Sequence, residues 1–170
     1  ISVISLIIIT PAILEDLHKE IKPLLRLSII FIGSLLIVIN TNQLPKFDMG
    51  ILNIILNNTI FQIFFFTFAL VGVVNGQNLI DGTNGLSALT SLTIFFGVLF
   101  LGLTFKDQKI IFVCLTIISL NIGFLFLNFP YGKIFLGDSG SYFNGIIAGY
   151  LTIYIFGKYS DLPSWSAIII

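Results

Sequence analysis

The sequence predicts an all-α, polytopic integral membrane protein: a single transmembrane domain over residues 1–170, with about five complete transmembrane helices and a partial helix at each end. Three observations carry that prediction. Only 9% of the residues are charged and 56% are hydrophobic, whereas a soluble domain is about one quarter charged. The mean hydropathy is +1.07. The charges also cluster, leaving uncharged runs at 27–45, 49–80, 82–105, 110–132 and 139–157. Runs of that length approach or exceed the roughly 20 apolar residues a helix needs to cross a bilayer core. Backbone in lipid must satisfy its own hydrogen bonds, which selects helices over open strands.

Clusters of Gly, Pro, Asn and charge divide the chain into its elements. A partial first span ends near residue 14, before the polar loop EDLHKEIKP at 15–23. The second span covers about 24–39 and is followed by NTNQLPKFDMG. The next apolar run is too long for one straight crossing. Asn53, Asn57 and Asn58 place its first part at the interface, so the third span is expected to start near Thr59. The polar stretch NGQNLIDGTNG follows at 75–85. A fourth span is expected at about 86–103, a fifth at 110–127, a sixth at 142–156, and a last one starting near Ser164. The chain opens on ISVISLIII, with neither methionine nor a basic segment, and closes on AIII. No signal peptide is predicted, and the expectation is the middle part of a longer protein.

Counting crossings puts the loops at 15–23, 75–85 and 128–141 on one side of the membrane. The positive-inside rule does not orient that side. Lys19, Lys22, Arg26 and Lys133 lie on it, and Lys46, Lys106, Lys109 and Lys158 lie on the other. The net charge is zero, and no basic patch suggests a nucleic-acid polymer as partner. The one cysteine, Cys114, sits within an apolar run and reads as a packed residue. The one histidine, His18, does not suggest a zinc site.

The three same-side loops carry the chemistry. Asn75, Asn78 and Asp81 are spaced three apart, which on a helix end aligns two amides with a carboxylate. The alternative is an ordinary helix C-terminal turn. Asp138 heads GDSGS before the sixth span. It reads either as an N-cap or as part of a helix N-terminus that binds phosphate. Glu15 and Asp16 are adjacent, and like charges repel unless cations offset them. Lys19, Lys22 and Arg26 are one source of offset; a divalent metal is the other. Glu15, Asp16, Asp81 and Asp138 thus gather on one face, and Mg2+ takes such oxygen ligands together with substrate phosphates. The pattern points to metal-assisted chemistry on a phosphorylated substrate at the membrane surface. An ion-coupled transporter is a rival reading, since carboxylates near a bilayer also mark ion paths. A non-catalytic membrane scaffold is another.

NLIDGTNGLSAL, NFPYGKIFLGDSGSYFNG and LEDLHKEIKPLLRL resemble, in order and spacing, the polyprenyl-phosphate N-acetylhexosamine-1-phosphate transferase family, also called glycosyltransferase family 4. The resemblance covers nearly the whole chain and is closer to the polysaccharide-type branch, represented by undecaprenyl-phosphate N-acetylglucosamine-1-phosphate transferases, than to the phospho-N-acetylmuramoyl-pentapeptide transferases. It implies a transfer of sugar-1-phosphate from a UDP-N-acetylhexosamine to undecaprenyl phosphate, with release of UMP. It also implies a multi-pass protein of the bacterial cytoplasmic membrane whose active site faces the cytoplasm. Mg2+ is the implied cofactor, with Mn2+ as a substitute, and a second copy of the chain is a candidate partner. By position, Glu15, Asp16 and Lys19 match the family's paired acidic motif, with Glu15 in place of its first aspartate. Asn75, Asn78, Asp81 and Gly82 match its NxxNxxDG motif. Phe135, Gly137 and Asp138 match its FxGD motif. The roles implied are catalytic for Glu15, Asp16, Asp81 and Asp138, and metal-binding for Asp81 and Asp138. Substrate binding is implied for Lys19, Asn75, Asn78, Asn84, Asn128 and Phe135, with Phe135 stacking on uracil. Asn84 stands where one branch has aspartate. The family's last cytoplasmic loop, rich in His and Arg, lies beyond the chain.

Overall fold

The computed structural model describes residues 8–10, 12–13, 16–17, 22–46, 56, 58–159 and 162. Among the described residues five long α-helices form the frame, and no strand occurs. The expected partial spans at the two ends lie largely or wholly outside the described residues.

Helix α1, Pro23–Ile39, starts with proline in its first turn, where the missing N–H costs nothing. Helix α2, Thr59–Leu79, starts at the expected residue because the Asn58 side chain accepts from the Ile60 N–H at 2.9 Å. It runs into one 3-10 turn, Ile80–Gly82. Helix α3, Leu86–Thr104, follows Gly85, whose φ of 81° is a left-handed conformation that glycine adopts freely. Helix α4, Gln108–Asn128, begins two residues earlier than expected because Asp107 caps it, accepting from the N–H groups of Lys109 and Ile110. Helix α5, Gly137–Lys158, begins five residues before the expected start. The physical reason for that early start is a cap from another part of the chain, described below.

Three segments among the described residues are long and apolar enough to cross a membrane: Thr59–Gly82, Leu86–Thr104 and Gln108–Asn128. Helix α1 is apolar but shorter, with 17 residues. Helix α5 has 22 residues but a more polar composition, and its place in the bundle explains why. It packs against both α2 and α3, while α1 packs on α2 and α4 on α3. Two hydrophobic clusters result. One joins Ile30 and Ile37 of α1 to Leu70 and Val74 of α2; the other joins Phe95 and Val98 of α3 to Ile110 and Ile117 of α4. Helix α5 contributes Tyr142 and Ile146 to the first cluster and Leu151 and Ile155 to the second. A central helix meets other helices and not lipid, so small and polar residues are tolerated along it. The outer helices instead expose Phe61, Phe64, Phe68, Phe112 and Phe126, an apolar surface suited to lipid and unsuited to water.

Small residues set the closest approach. A Cβ on Gly145 of α5 would lie 2.9 Å from the Val74 Cα of α2. Asn121 of α4 and Asn144 of α5, both buried, exchange amide hydrogen bonds of 3.2 and 2.8 Å. At the bundle end away from the three polar loops, the buried Asp107 carboxylate accepts from Lys158 and from the Tyr159 hydroxyl. Burial alone would raise the Asp107 pKa. The hydrogen bonds from Lys158, the Ile110 N–H and Tyr159 outweigh it and hold the carboxyl below its ordinary range.

Two outcomes are expected of the full-length protein in detergent. Gly145→Leu should cost about 1–3 kcal/mol through overpacking and lower the unfolding midpoint, while Gly72→Leu, which meets open space, should not. The stability linked to Asp107 is fully present above the ordinary aspartate pKa of about 4 and is lost as pH falls through the depressed folded value. Asp107→Asn should therefore unfold at lower temperature than wild type at neutral pH, and the difference should shrink as the pH drops below about 4.

Candidate functional site

The N-terminus of an α-helix leaves backbone N–H groups without partners in its own helix and carries a partial positive charge. Leu136, the residue before α5, has no side-chain oxygen to offer. Asp16, 122 residues before Asp138 in sequence, supplies the missing acceptors. Its Oδ1 accepts from the Asp138 N–H at 3.2 Å, and its Oδ2 from the Ser139 N–H at 3.1 Å and the Ser139 hydroxyl at 2.6 Å. Gly137 makes the approach feasible. Its φ is 71°, and a Cβ there would stand 3.0 Å from Asp16 Oδ2. The reading of Asp138 as the N-cap of this helix is thereby corrected: Asp138 lies inside the first turn, and Asp16 does the capping.

The Asp138 side chain is free to face inward. Its Oδ2 pairs with Arg26 of α1 at 3.1 Å, and its Oδ1 accepts from Asn78 of α2 at 2.7 Å. Asn78 also donates to the Ser141 hydroxyl at 3.0 Å. The half-buried Asp81 sits in the 3-10 turn after α2, and the charges of Asp138 and Asp16 bear on it. Three carboxylates from three separate parts of the chain thus converge, with Asn78 and Arg26 bonded to Asp138.

The remaining predicted residues fall in different places. Asn128, buried at the end of α4, accepts from the Gly85 N–H and donates to the Ile134 carbonyl at 2.8 Å, tying the turn before α3 to the loop before α5. Asn84 donates to the Pro130 carbonyl at 3.1 Å and reinforces the same tie. Asn75 donates to the Val71 carbonyl of its own helix. Phe135 is 71% exposed on the loop before α5. Glu15 and Lys19 lie outside the described residues. Sequence reading placed Arg26 beside Glu15 and Asp16; the structure adds an ion pair with Asp138. Ser139 and Ser141 were read only as the small-residue start of the span, and Gln77 and Ser87 were not singled out. Their small polar side chains in NGQN, GLSAL and GDSGS were the available signal.

The donor set is oxygen-rich and contains no described histidine or thiol, which suits a hard cation such as Mg2+. Among the described residues no three candidate ligands sit close enough to form a complete protein cage. Asp81 and Asp138 could hold it, each Asp138 oxygen keeping a second lone pair beside its bond to Arg26 or Asn78.

The model of the family described as Glycosyl transferase family 4 matches residues 1–156. The chain is 36% identical over 100 residues to a probable undecaprenyl-phosphate N-acetylglucosaminyl 1-phosphate transferase of Bacillus subtilis (strain 168), covering 59% of the chain and 27% of that protein. It is 37% identical over 113 residues to a phospho-N-acetylmuramoyl-pentapeptide-transferase of Leuconostoc mesenteroides, covering 66% and 32%. A phospho-N-acetylmuramoyl-pentapeptide-transferase of Dictyoglomus thermophilum is 31% identical over 138 residues, covering 80% and 44%. The chain therefore spans less than half the length of the curated relatives it matches.

Removing the cap should be felt as stability. Asp16→Ala should cost about 1 kcal/mol, a fall of about 2–4 °C in the unfolding midpoint for a protein of this size class. Asp16→Asn, which keeps an acceptor oxygen, should lose less.

Proposed function

On the premise that the chain belongs to glycosyl transferase family 4, we propose that the protein carrying it transfers an N-acetylhexosamine-1-phosphate from a UDP-sugar to undecaprenyl phosphate at the cytoplasmic face of a bacterial membrane. The observation that carries the reading is the convergence of Asp16, Asp81 and Asp138, with Asn78 and Arg26, at one end of an apolar helical bundle.

The chemistry is a phosphoryl transfer. An oxygen of the lipid phosphate attacks the β-phosphorus of the UDP-sugar, the bond between that phosphorus and the bridging oxygen breaks, and UMP leaves with the electron pair. The product is a lipid-linked sugar diphosphate. Catalysis of this kind consists mostly of positioning and charge neutralisation. The second pKa of a phosphate monoester is about 6, so the lipid phosphate is already mostly dianionic at neutral pH and needs little help from a base. Asp81 and Asp138 would hold a Mg2+ ion, which would supply neutralisation of the diphosphate charge. Arg26 holds the Asp138 carboxylate in place and adds positive charge to the site. Asn78 orients Asp138 from the other side. Asp16, anchored to the helix end, and Glu15 position the lipid phosphate, with Lys19 offsetting negative charge. Asn128 and Asn84 keep the loop that presents Phe135 in shape for stacking on uracil, and Asn75 lines the approach. The apolar helix faces seat the polyprenyl tail.

A second reading within the same chemistry has specific support: relatives named phospho-N-acetylmuramoyl-pentapeptide-transferase match the chain about as well as the N-acetylglucosaminyl-type relative. The donor sugar separates the two.

The deciding experiment is UMP release by membranes carrying the full-length protein, with undecaprenyl phosphate, Mg2+, and either UDP-N-acetylglucosamine or UDP-N-acetylmuramoyl-pentapeptide. Release should depend on lipid and metal. Asp81→Asn and Asp138→Asn should each lower it by at least about 100-fold, the scale seen when one charge-stabilising group is lost from an active site. Release that is unaffected by both substitutions would overturn the assignment of these carboxylates, and uptake of a solute in place of release would favour a transporter.

A further inference from the structure

At the bundle end away from the carboxylates, the segment after α1 folds back onto α2 and α5. The Gln62 side-chain amide, in the first turn of α2, donates to the Pro45 carbonyl at 2.8 Å. A Cβ on Gly157 would collide with the Gln43 carbonyl, so the segment lies directly on the last turn of α5. Beside these anchors are two adjoining cavities of about 460 and 240 Å3, both lined by Asn42, Gln43 and Lys158. Lys46, Leu44 and Phe156 also line the larger one. Among the described residues every polar side chain on these walls can donate a hydrogen bond, and none is a carboxylate. Lys158 is held in place. It is bonded to the buried Asp107, which cancels its charge, and its Nζ lies 5.5 and 5.3 Å from the centres of the Tyr154 and Tyr159 rings. An ammonium has three protons, so two remain for a ligand. Lys46 is exposed and forms no ion pair among the described residues, which leaves one uncompensated positive charge on the cavity wall.

We propose that this double cavity binds the headgroup of an anionic phospholipid, drawn from the leaflet opposite the carboxylates. A phosphodiester carries one negative charge and only acceptor oxygens, which the single spare charge and the amide and ammonium donors complement. Lysine serves as a point-charge partner for phosphate, and basic pockets between transmembrane helices take acidic lipid headgroups. The position selects a lipid over a soluble phosphate. The cavity sits at the first turn of α2 and the last turn of α5, where a spanning helix meets the headgroup region. Leu44 and Phe156 set an apolar wall beside the donors, as the junction of headgroup and acyl chain requires. A lipid held there would bridge the segment after α1 to the end of α5. The site is on the face opposite Asp81 and Asp138, so its test bears on this proposal alone.

The test is native mass spectrometry of the full-length protein, delipidated in detergent and titrated with phosphatidylglycerol, phosphatidylcholine or glycerol 1-phosphate. Phosphatidylglycerol should bind about fivefold more tightly than phosphatidylcholine, the scale of one lysine acting on one lipid charge. Lys46→Gln should remove that preference, and Lys46→Glu should lower phosphatidylglycerol binding about fivefold again. Asn42→Trp keeps the charge but fills the cavity, and should weaken phosphatidylglycerol at least as much as Lys46→Gln does. Lys109→Gln changes an exposed lysine at the same bundle end that lines neither cavity, and should stay within about twofold of wild type. Equal binding of the two lipids, or a loss in Lys109→Gln as large as in Lys46→Gln, would mean that only general surface charge acts, and the cavity assignment falls. Glycerol 1-phosphate binding as tightly as phosphatidylglycerol would show a site for soluble phosphate and overturn the lipid. Should Asn42→Trp not fold, the contrast between Lys46→Gln and Lys109→Gln, both at exposed positions, decides alone.

Discussion

The first turn of α5 presents N–H groups that its own helix cannot satisfy, and the Asp16 carboxylate takes two of them together with a hydroxyl. The rest of the polar face depends on that bond set. It fixes where α5 begins and so places Asp138 within a helical turn, where its side chain faces Arg26 and Asn78. It explains why Gly137 has no side chain, since a Cβ would crowd the Asp16 oxygens. It also brings the loop after the first apolar segment onto a helix more than a hundred residues later. A helix end leaves N–H groups that need acceptors from somewhere, and here the acceptor belongs to the same charged cluster as Asp138.

The bundle supports this seam from below. Helix α5 is shared by two hydrophobic clusters, and its small residues let α2 approach closely. The 3-10 turn that carries Asp81 is a direct continuation of α2. Asp81, Asn78 and Asp138 therefore sit at the ends of two helices packed along their length, and sites on such elements hold their geometry better than sites on free loops. At the other end of the bundle, Asp107, Lys158 and Tyr159 tie α4 to the end of α5.

Much of this was legible in the sequence, for physical reasons that can be named. Uncharged runs between charge clusters located the helices because lipid tolerates little else. Asn58 before Thr59 marked a helix start because its side chain is a standard acceptor. The grouping of Asp16, Asp81 and Asp138 followed from counting crossings. The partners were harder. GDSGS looks like a self-capped helix start, and only the fold shows that Asp16 supplies the cap. Arg26 was read as neutralising its neighbours in sequence, and the fold brings it Asp138 as a partner from a distant helix. Asn84 and Asn128 carry the same residue type as Asn78 but bond to loop backbone, a distinction that spacing alone does not make. Gln77 was hidden by its surroundings: one amide among several in a polar stretch gives no hint of which way it faces.

The composition of α5 has a bearing on how such a protein is made. GDSGSYFNGIIAGYLTIYIFGK carries glycines, serines, an asparagine and tyrosines through its length, and each lowers the gain from leaving the translocation channel sideways into lipid. The buried amide of Asn144 is satisfied by α4 and the gap at Gly145 by α2, both of which are synthesised earlier. A segment of this kind is best retained when those neighbours are already in the bilayer to receive it. The helix that centres the bundle is thus the one whose integration depends most on the order of synthesis, and translation from the N-terminus delivers its partners first.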